Sequence, residues 1–236
     1  MGDTTAPRPD PVAHRPATPA GVDRQRRREA RADGVVHVLG VGGSLAGFAL
    51  LSPAAAAAED AVRAVAVLVY GAALVATLGV SALYNTFRER PVGPMLRRLD
   101  HAMIFMMIAA TYTPFLAVAL GGPWGWGLLA VVWVIALAGV GVKLLRPERY
   151  ERLAIVLYLG LGWAIVVAPG PLFAAVSVPA IGLLALGGVL YSGGVVFYLL
   201  DRLQYHRAIW HGFVLAAATC HFMAVWGEVA KPGFWT

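Results

Sequence analysis

Residues 97–120 read RRLDHAMIFMMIAATYTPFLAVAL, two arginines followed by an apolar run from Leu99 to Leu120. A helix rises about 1.5 Å per residue and the hydrocarbon core of a bilayer is about 30 Å thick, so roughly 20 apolar residues cross it. A run of this length, with its cations at one end, predicts a transmembrane helix. Asp100 and His101 stand at its start. A charge at mid-helix costs about 2.5–3.5 kcal/mol on insertion scales, so these two belong at the membrane boundary or in a site.

Six further runs of span length surround this one, at residues 35–52, 62–86, 124–143, 153–170, 177–200 and 208–229. The 236 residues are 59% hydrophobic and 14% charged, with a mean hydropathy of +0.69. Soluble domains carry about a quarter charged residues, and no soluble domain fits in the short polar breaks. The predicted fold class is all-α, a polytopic membrane protein of seven transmembrane helices. Pro169, Pro171 and Pro179 interrupt the sequence between the fifth and sixth spans. Glycines recur within the spans, as small residues do where helix backbones approach closely in lipid.

Seven of the 19 Lys and Arg lie in residues 1–34, with five prolines and the run Arg24-Gln25-Arg26-Arg27-Arg28. No hydrophobic period is present there. The segment predicts a disordered basic cytoplasmic tail before a seven-helix membrane domain at residues 35–230. With the N-terminus inside, 17 of the 19 Lys and Arg fall on the inner side, and only Arg63 and Lys231 fall outside. That is the positive-inside pattern, and an odd number of spans places the C-terminus outside. The expected location is the cell membrane, multi-pass, with a cytoplasmic N-terminus. The net charge of +6 comes from these flanks rather than one basic face, so no nucleic acid is implied. Membrane lipids are the expected partners, a lipid ligand is an open alternative, and protein partners are not legible. Lone Cys220 gives no disulfide framework.

Polar residues inside the spans form three groups. Ser81 and Asn85, four apart near the inner end of the second span, share a helix face. Asp100 and His101 begin the third, with Tyr112 and Pro114 farther along. His206, Arg207 and His211 enter the seventh, with His221 and Glu228 beyond. In the predicted topology Ser81, Asn85, Asp100 and His211 lie at similar depth and would line one pocket if these helices are neighbours. Alternatives stand beside this. Asp100 pairs with Arg97 or Arg98, or caps its helix; His211 and His221 are packing residues; His37 is interfacial; and Glu228 is solvated.

The stretches Ser81-Ala82-Leu83-Tyr84-Asn85, Leu96 to Phe105, Ile108 to Phe115, Ala208 to Leu215 and Cys220-His221-Phe222 together resemble the hemolysin III family. The wider group includes adiponectin and progestin receptors and is similar in plan to alkaline ceramidases. The resemblance implies an intramembrane zinc site formed by a Ser-x-x-x-His pair on the second span, an Asp opening the third, and a His-x-x-x-His pair on the seventh. Related members are thought to hydrolyse lipid amides with a zinc-activated water.

This chain departs from that pattern. Asn85 stands at the histidine of the Ser-x-x-x-His pair, and Arg207 at the first histidine of the seventh-span pair. His206 points about 140° away from His211 around the helix, and His221 lies ~15 Å along it. Of the implied ligands only His211 remains, so the zinc site is expected to be degenerate. No cofactor is expected, with zinc at His211 the alternative. Asp100 is expected to lie within reach of Arg207 or His211, a pair with Arg207 replacing the metal's charge. The expected function is a regulator or receptor-like protein with an altered inner-leaflet pocket of Ser81, Asn85, Asp100, His101, Tyr112, Arg207, His211 and His221. One alternative is a zinc-dependent intramembrane hydrolase of a lipid amide; a second is the pore-forming or haemolytic activity that the family name implies.

Reporter fusions check the orientation directly. Fusions after Arg90, Glu148 and Arg202 are expected to report an inner location, and fusions after Glu59, Pro123 and Thr236 an outer one. A clean reversal at any one junction would contradict the assignment.

Overall fold

The computed structural model describes residues 20–145, 151–164 and 169–235, and all regular structure among them is helical. In chain order the helices are α1 (Ala20–Ala56), α2 (Ala61–Phe87), α3 (Gly93–Pro114), α4 (Gly122–Leu145), α5 (Glu151–Gly162), α6 (Pro169–Ala175), α7 (Val178–Leu199) and α8 (His206–Val225). π-helical turns at Phe115–Leu120 and Trp226–Ala230 prolong α3 and α8. Six of these helices are long and apolar enough to cross a membrane: α1, α2, α3 with its extension, α4, α7, and α8 with its extension. Each matches a run predicted from sequence. The remaining predicted span, 153–170, coincides with α5, whose 12 residues reach about 18 Å; its residues 165–168 lie outside the described residues.

The start of α1 differs from expectation. Residues 20–34 are helical and continuous with the first span, where the sequence predicted the end of a disordered tail. The physical reason is cooperativity. A helix nucleated in the apolar segment propagates into flanking residues without a hydrophobic period of their own, given good helix formers such as Arg and Gln. Gln25 Nε2 donates to Glu29 Oε1 at 2.9 Å one turn on, which supports the extension. Residues 1–19 of the predicted tail lie outside the described residues.

Neighbours in the bundle follow the order α4, α3, α2, α1, α8, α7, with α5 against α3 and α3 also reaching α8. Thus α1 packs on both α2 and α8. Caps mark two helix starts. Asp60 accepts from the amides of Val62 and Arg63 at α2, and Ser177 caps α7. Glu228, expected to be solvated, instead accepts from the Ser177 backbone N–H at 3.1 Å and from its hydroxyl. Satisfying a helix terminus within the protein is what a low-dielectric surrounding demands.

Apolar packing has two centres. Leu51, Val67, Tyr70, Leu74, Met107, Phe115 and Val225 fill one, and Phe105, Tyr112, Leu116, Leu129 and Val132 the other, between α3 and α4. Small residues set the helix separations. A Cβ at Gly139 of α4 would come within 2.5 Å of the Phe105 ring, and that ring is buried and packs on Tyr158 at 4.5 Å between centroids. Overpacking of this kind typically costs about 1–3 kcal/mol. Gly139→Ala is therefore expected to lower the thermal unfolding midpoint in detergent. Gly141→Ala, two residues along where a Cβ meets nothing within 4 Å, is expected to leave the midpoint unchanged or raise it slightly.

Candidate functional site

Four helices bring their polar residues together at the arginine-rich end of the bundle. Asp33 and His37 are four apart on α1, so they share a face. His211, on the second turn of α8, meets that face: its Nδ1 lies 2.6 Å from Asp33 Oδ1. The other carboxylate oxygen, Oδ2, is 3.6 Å from His37 Nε2. The two imidazoles stack obliquely with centroids 4.4 Å apart. Asp33 is buried, at 7% exposure, and the His37 and His211 side chains are 12% and 13% exposed. Asp100, from α3, lies against Ser81 of α2 and faces both His37 and His211. Two carboxylates and two imidazoles thus converge where α1, α2, α3 and α8 meet.

This cluster closes one end of a cavity of about 400 Å³. His37, Ser81, Asp100 and His211 form its polar end, and Leu78, Met107, Ile108, Leu184 and Leu215 are among its walls. Tyr112 and Tyr158 hold α5 along one side. Tyr112 Oη donates to the carbonyls of Leu161 at 3.0 Å and Gly162 at 2.9 Å, and Tyr158 Oη donates to the His101 carbonyl at 2.9 Å. Farther along, His221 packs into the gap left by Gly187, with a ring nitrogen 3.3 Å from the Leu184 carbonyl. Lys143, also lining the cavity, is only 2% exposed.

Of the residues predicted from sequence, Ser81, Asp100, His101, Tyr112, His211 and His221 line this cavity. Asn85 does not. Its amide donates back to the Ser81 carbonyl at 3.0 Å, and it lines a separate groove between α1 and α2 with Asp33 and His37. Arg207 is exposed at the first turn of α8. Asp100 has Ser81 and the two imidazoles beside it, so of the two expected partners it faces His211 and not Arg207. The reason is depth: Arg207 shares a face of α8 with His211 but stands about 6 Å nearer the helix start, in the first turn, where it is exposed, as long cationic side chains at helix ends are.

Sequence reasoning missed Asp33 and set His37 aside as interfacial. The signal was the Asp33-x-x-x-His37 spacing, legible only once the helix extends back past residue 34. The ligand set implied by the family resemblance does not fit this chain. A guanidinium cannot coordinate zinc, an amide is a weak ligand, and neither Asn85 nor Arg207 reaches the cavity. What the described residues do offer is different: one carboxylate oxygen and two ring nitrogens, from Asp33, His37 and His211, all within 4.8 Å of one another.

Fold and site define an all-helical, multi-pass membrane protein with an apolar cavity ending in a carboxylate–imidazole cluster. The chain belongs to the haemolysin III family, whose model, described as Haemolysin-III related, matches residues 26–222. It is 35% identical to Hemolysin-3 of Bacillus cereus over 198 residues, covering 84% of this chain and 90% of that protein. It is likewise 35% identical to the Hemolysin-3 homolog of Bacillus subtilis over 207 residues, 88% of this chain and 97% of that one. The human Monocyte to macrophage differentiation factor is 29% identical over 177 residues, 71% of this chain and 72% of its own length.

A double-mutant cycle tests which acid is joined to which base. Asp33→Ala with His211→Ala is expected to show a coupling of about 0.5–3 kcal/mol in detergent unfolding, as groups in contact do. Asp100→Ala with Arg207→Ala is expected to be additive.

Proposed function

We propose that this chain is a receptor-like or regulatory membrane protein that binds a lipid amphiphile within its bundle. The apolar chain of the ligand lies along the cavity, and its polar head meets Ser81, Asp100 and His211. One observation carries this reading: a cavity walled mainly by apolar side chains, in which the carboxylate Asp100 stands together with Ser81, His37 and His211. Its volume of about 400 Å³ falls in the range of roughly 300–1,000 Å³ common for small-molecule sites. A few polar groups at one end of apolar walls orient an amphiphile in one direction.

The accompanying topology has seven spans in the cell membrane, with the N-terminus cytoplasmic and the fifth crossing supplied by α5 and the residues that follow it. The arginines gathered at the chain junctions Arg88–Arg98 and Arg202–Arg207 support this orientation through the positive-inside rule, and they put the polar end of the cavity in the inner leaflet.

A second reading, hydrolysis of a lipid amide, is favoured by the acid Asp100 beside His211, since a carboxylate and an imidazole at one cavity end are the usual acid–base groups. Release of free fatty acid from an N-acyl amide, abolished in Asp100→Asn, would select it.

Binding is measured by titrating purified protein with a fluorescent single-chain fatty acid, alongside mass spectrometry of co-purified lipid. Ala185→Trp, which places a large ring in the cavity wall, is expected to weaken binding at least tenfold. Leu50→Trp, on an exposed surface of α1, is expected to leave it unchanged. Equal binding by all three proteins would exclude the cavity as the site.

A further inference from the structure

The cluster on α1 and α8 has the composition and spacing of a metal centre, and its ligands are not those that the family resemblance implies. We propose that Asp33, His37 and His211 bind one divalent transition-metal ion, zinc being the ion whose chemistry fits best. Only His211 is shared with the implied set; Asp33 and His37 come from a different helix. The site shares His37 and His211 with the lining of the cavity, and its test is separate from that of the lipid-binding reading.

Two imidazole nitrogens and one carboxylate oxygen are a common three-ligand set for zinc, the fourth position going to water or another small group. With metal–ligand bonds of about 2.0–2.2 Å in tetrahedral geometry, ligand atoms stand ~3.4 Å apart. The distances here bracket that value. Asp33 Oδ1 and His211 Nδ1 are 2.6 Å apart, Asp33 Oδ2 and His37 Nε2 are 3.6 Å apart, and all three ligands lie within 4.8 Å of one another. Opening the shorter contact by under about 1 Å admits an ion, which then takes the place of the hydrogen shared between His211 and Asp33. Rotation about the side-chain torsions of Asp33 supplies that movement without shifting either helix.

A second, independent observation points the same way. His37 Nε2 is fully enclosed and makes no hydrogen bond, although it is directed at the cluster. Its neighbour Asp33 Oδ2 is 3.6 Å away, beyond hydrogen-bond reach, and coordination would satisfy the enclosed nitrogen. Charge supports the same occupant. Asp100 faces both imidazoles from α3, so a dication between Asp33 and the two rings would stand within reach of a second carboxylate that orients the ligands from outside. Asn85, on the groove shared with Asp33 and His37, is placed beside the proposed ion rather than as a necessary part of it.

The experiment is elemental analysis of full-length protein carrying a tag free of histidine, loaded with one equivalent of zinc and desalted. About one zinc per chain is expected in the unaltered protein. Asp33→Ala, His37→Ala and His211→Ala should each fall to a tenth of that or less, while His206→Ala and His221→Ala retain it. Cobalt substitution should give the visible absorption of a four-coordinate centre, and it should disappear in His37→Gln, a variant close to histidine in size. Circular dichroism and gel filtration identify any variant that has merely unfolded, and Asp33→Glu, which keeps the carboxylate, should recover part of the binding. Absence of zinc from the folded, unaltered protein would overturn the proposal and leave Asp33–His211 as a hydrogen bond alone. So would full retention of zinc in folded His37→Ala. None of these readings involves an amphiphile, so failure here is distinct from failure of the lipid-binding function.

Discussion

The contact between Asp33 and His211, 2.6 Å long and almost entirely shielded from water, joins the first long helix to the last. Hydrocarbon offers no hydrogen bonds, so each polar group carried into a span must find its partner inside the protein. A carboxylate on α1 therefore has to meet a base, and the neighbour that provides one is α8. The consequence is topological as well as local. Because α1 lies between α2 and α8, the groups on either side of it are drawn to the same place. Asp100 and Ser81 come from one side and His211 from the other, and the polar end of the cavity is assembled from four helices.

Away from that end the bundle is held by close packing. Gly139 admits the Phe105 ring, Gly187 admits His221, and Gly47 admits Phe222, since a helix without a side chain at the contact lets its neighbour approach. The cavity persists within this packing because α5 is held by directed bonds. Tyr112 and Tyr158 tie it to α3 through backbone carbonyls, at two points about one turn apart in its C-terminal half. A wall held by hydroxyls at two points can leave volume behind it, whereas a wall held only by side-chain burial tends to collapse onto the opposite helix.

Membership of the haemolysin III family accounts for the architecture, and the site residues then show how one member departs from the pattern. Asn85 and Arg207 stand where the resemblance implies histidines. The structure gives each a different setting: Asn85 turns back to its own helix, and Arg207 extends outward. Meanwhile an acid and an imidazole on α1 stand against the one retained histidine. The polar cluster of this chain thus draws an acid and an imidazole from α1 to meet the histidine of α8.

Much of the fold was legible in the sequence because membrane spans are a matter of length and polarity. The run from Leu99 to Leu120 could be little else, and the six long helices all coincide with runs predicted from composition. Membership of the pocket was partly legible for the same reason: Ser81, Asp100 and His211 are costly in hydrocarbon and had to be accounted for. What only the tertiary structure decided is which of them meet. His37 lies just inside the first apolar run and Asp33 just outside it, in a stretch whose helical state is inherited from the span beside it rather than encoded by its own periodicity. The rotational setting of α8 turns His211 toward α1, while Arg207, one turn back at the helix start, is left exposed. Depth in the membrane follows from sequence position, one residue at a time. Facing is a property of pairs of helices packed together, and no single stretch of the chain contains it.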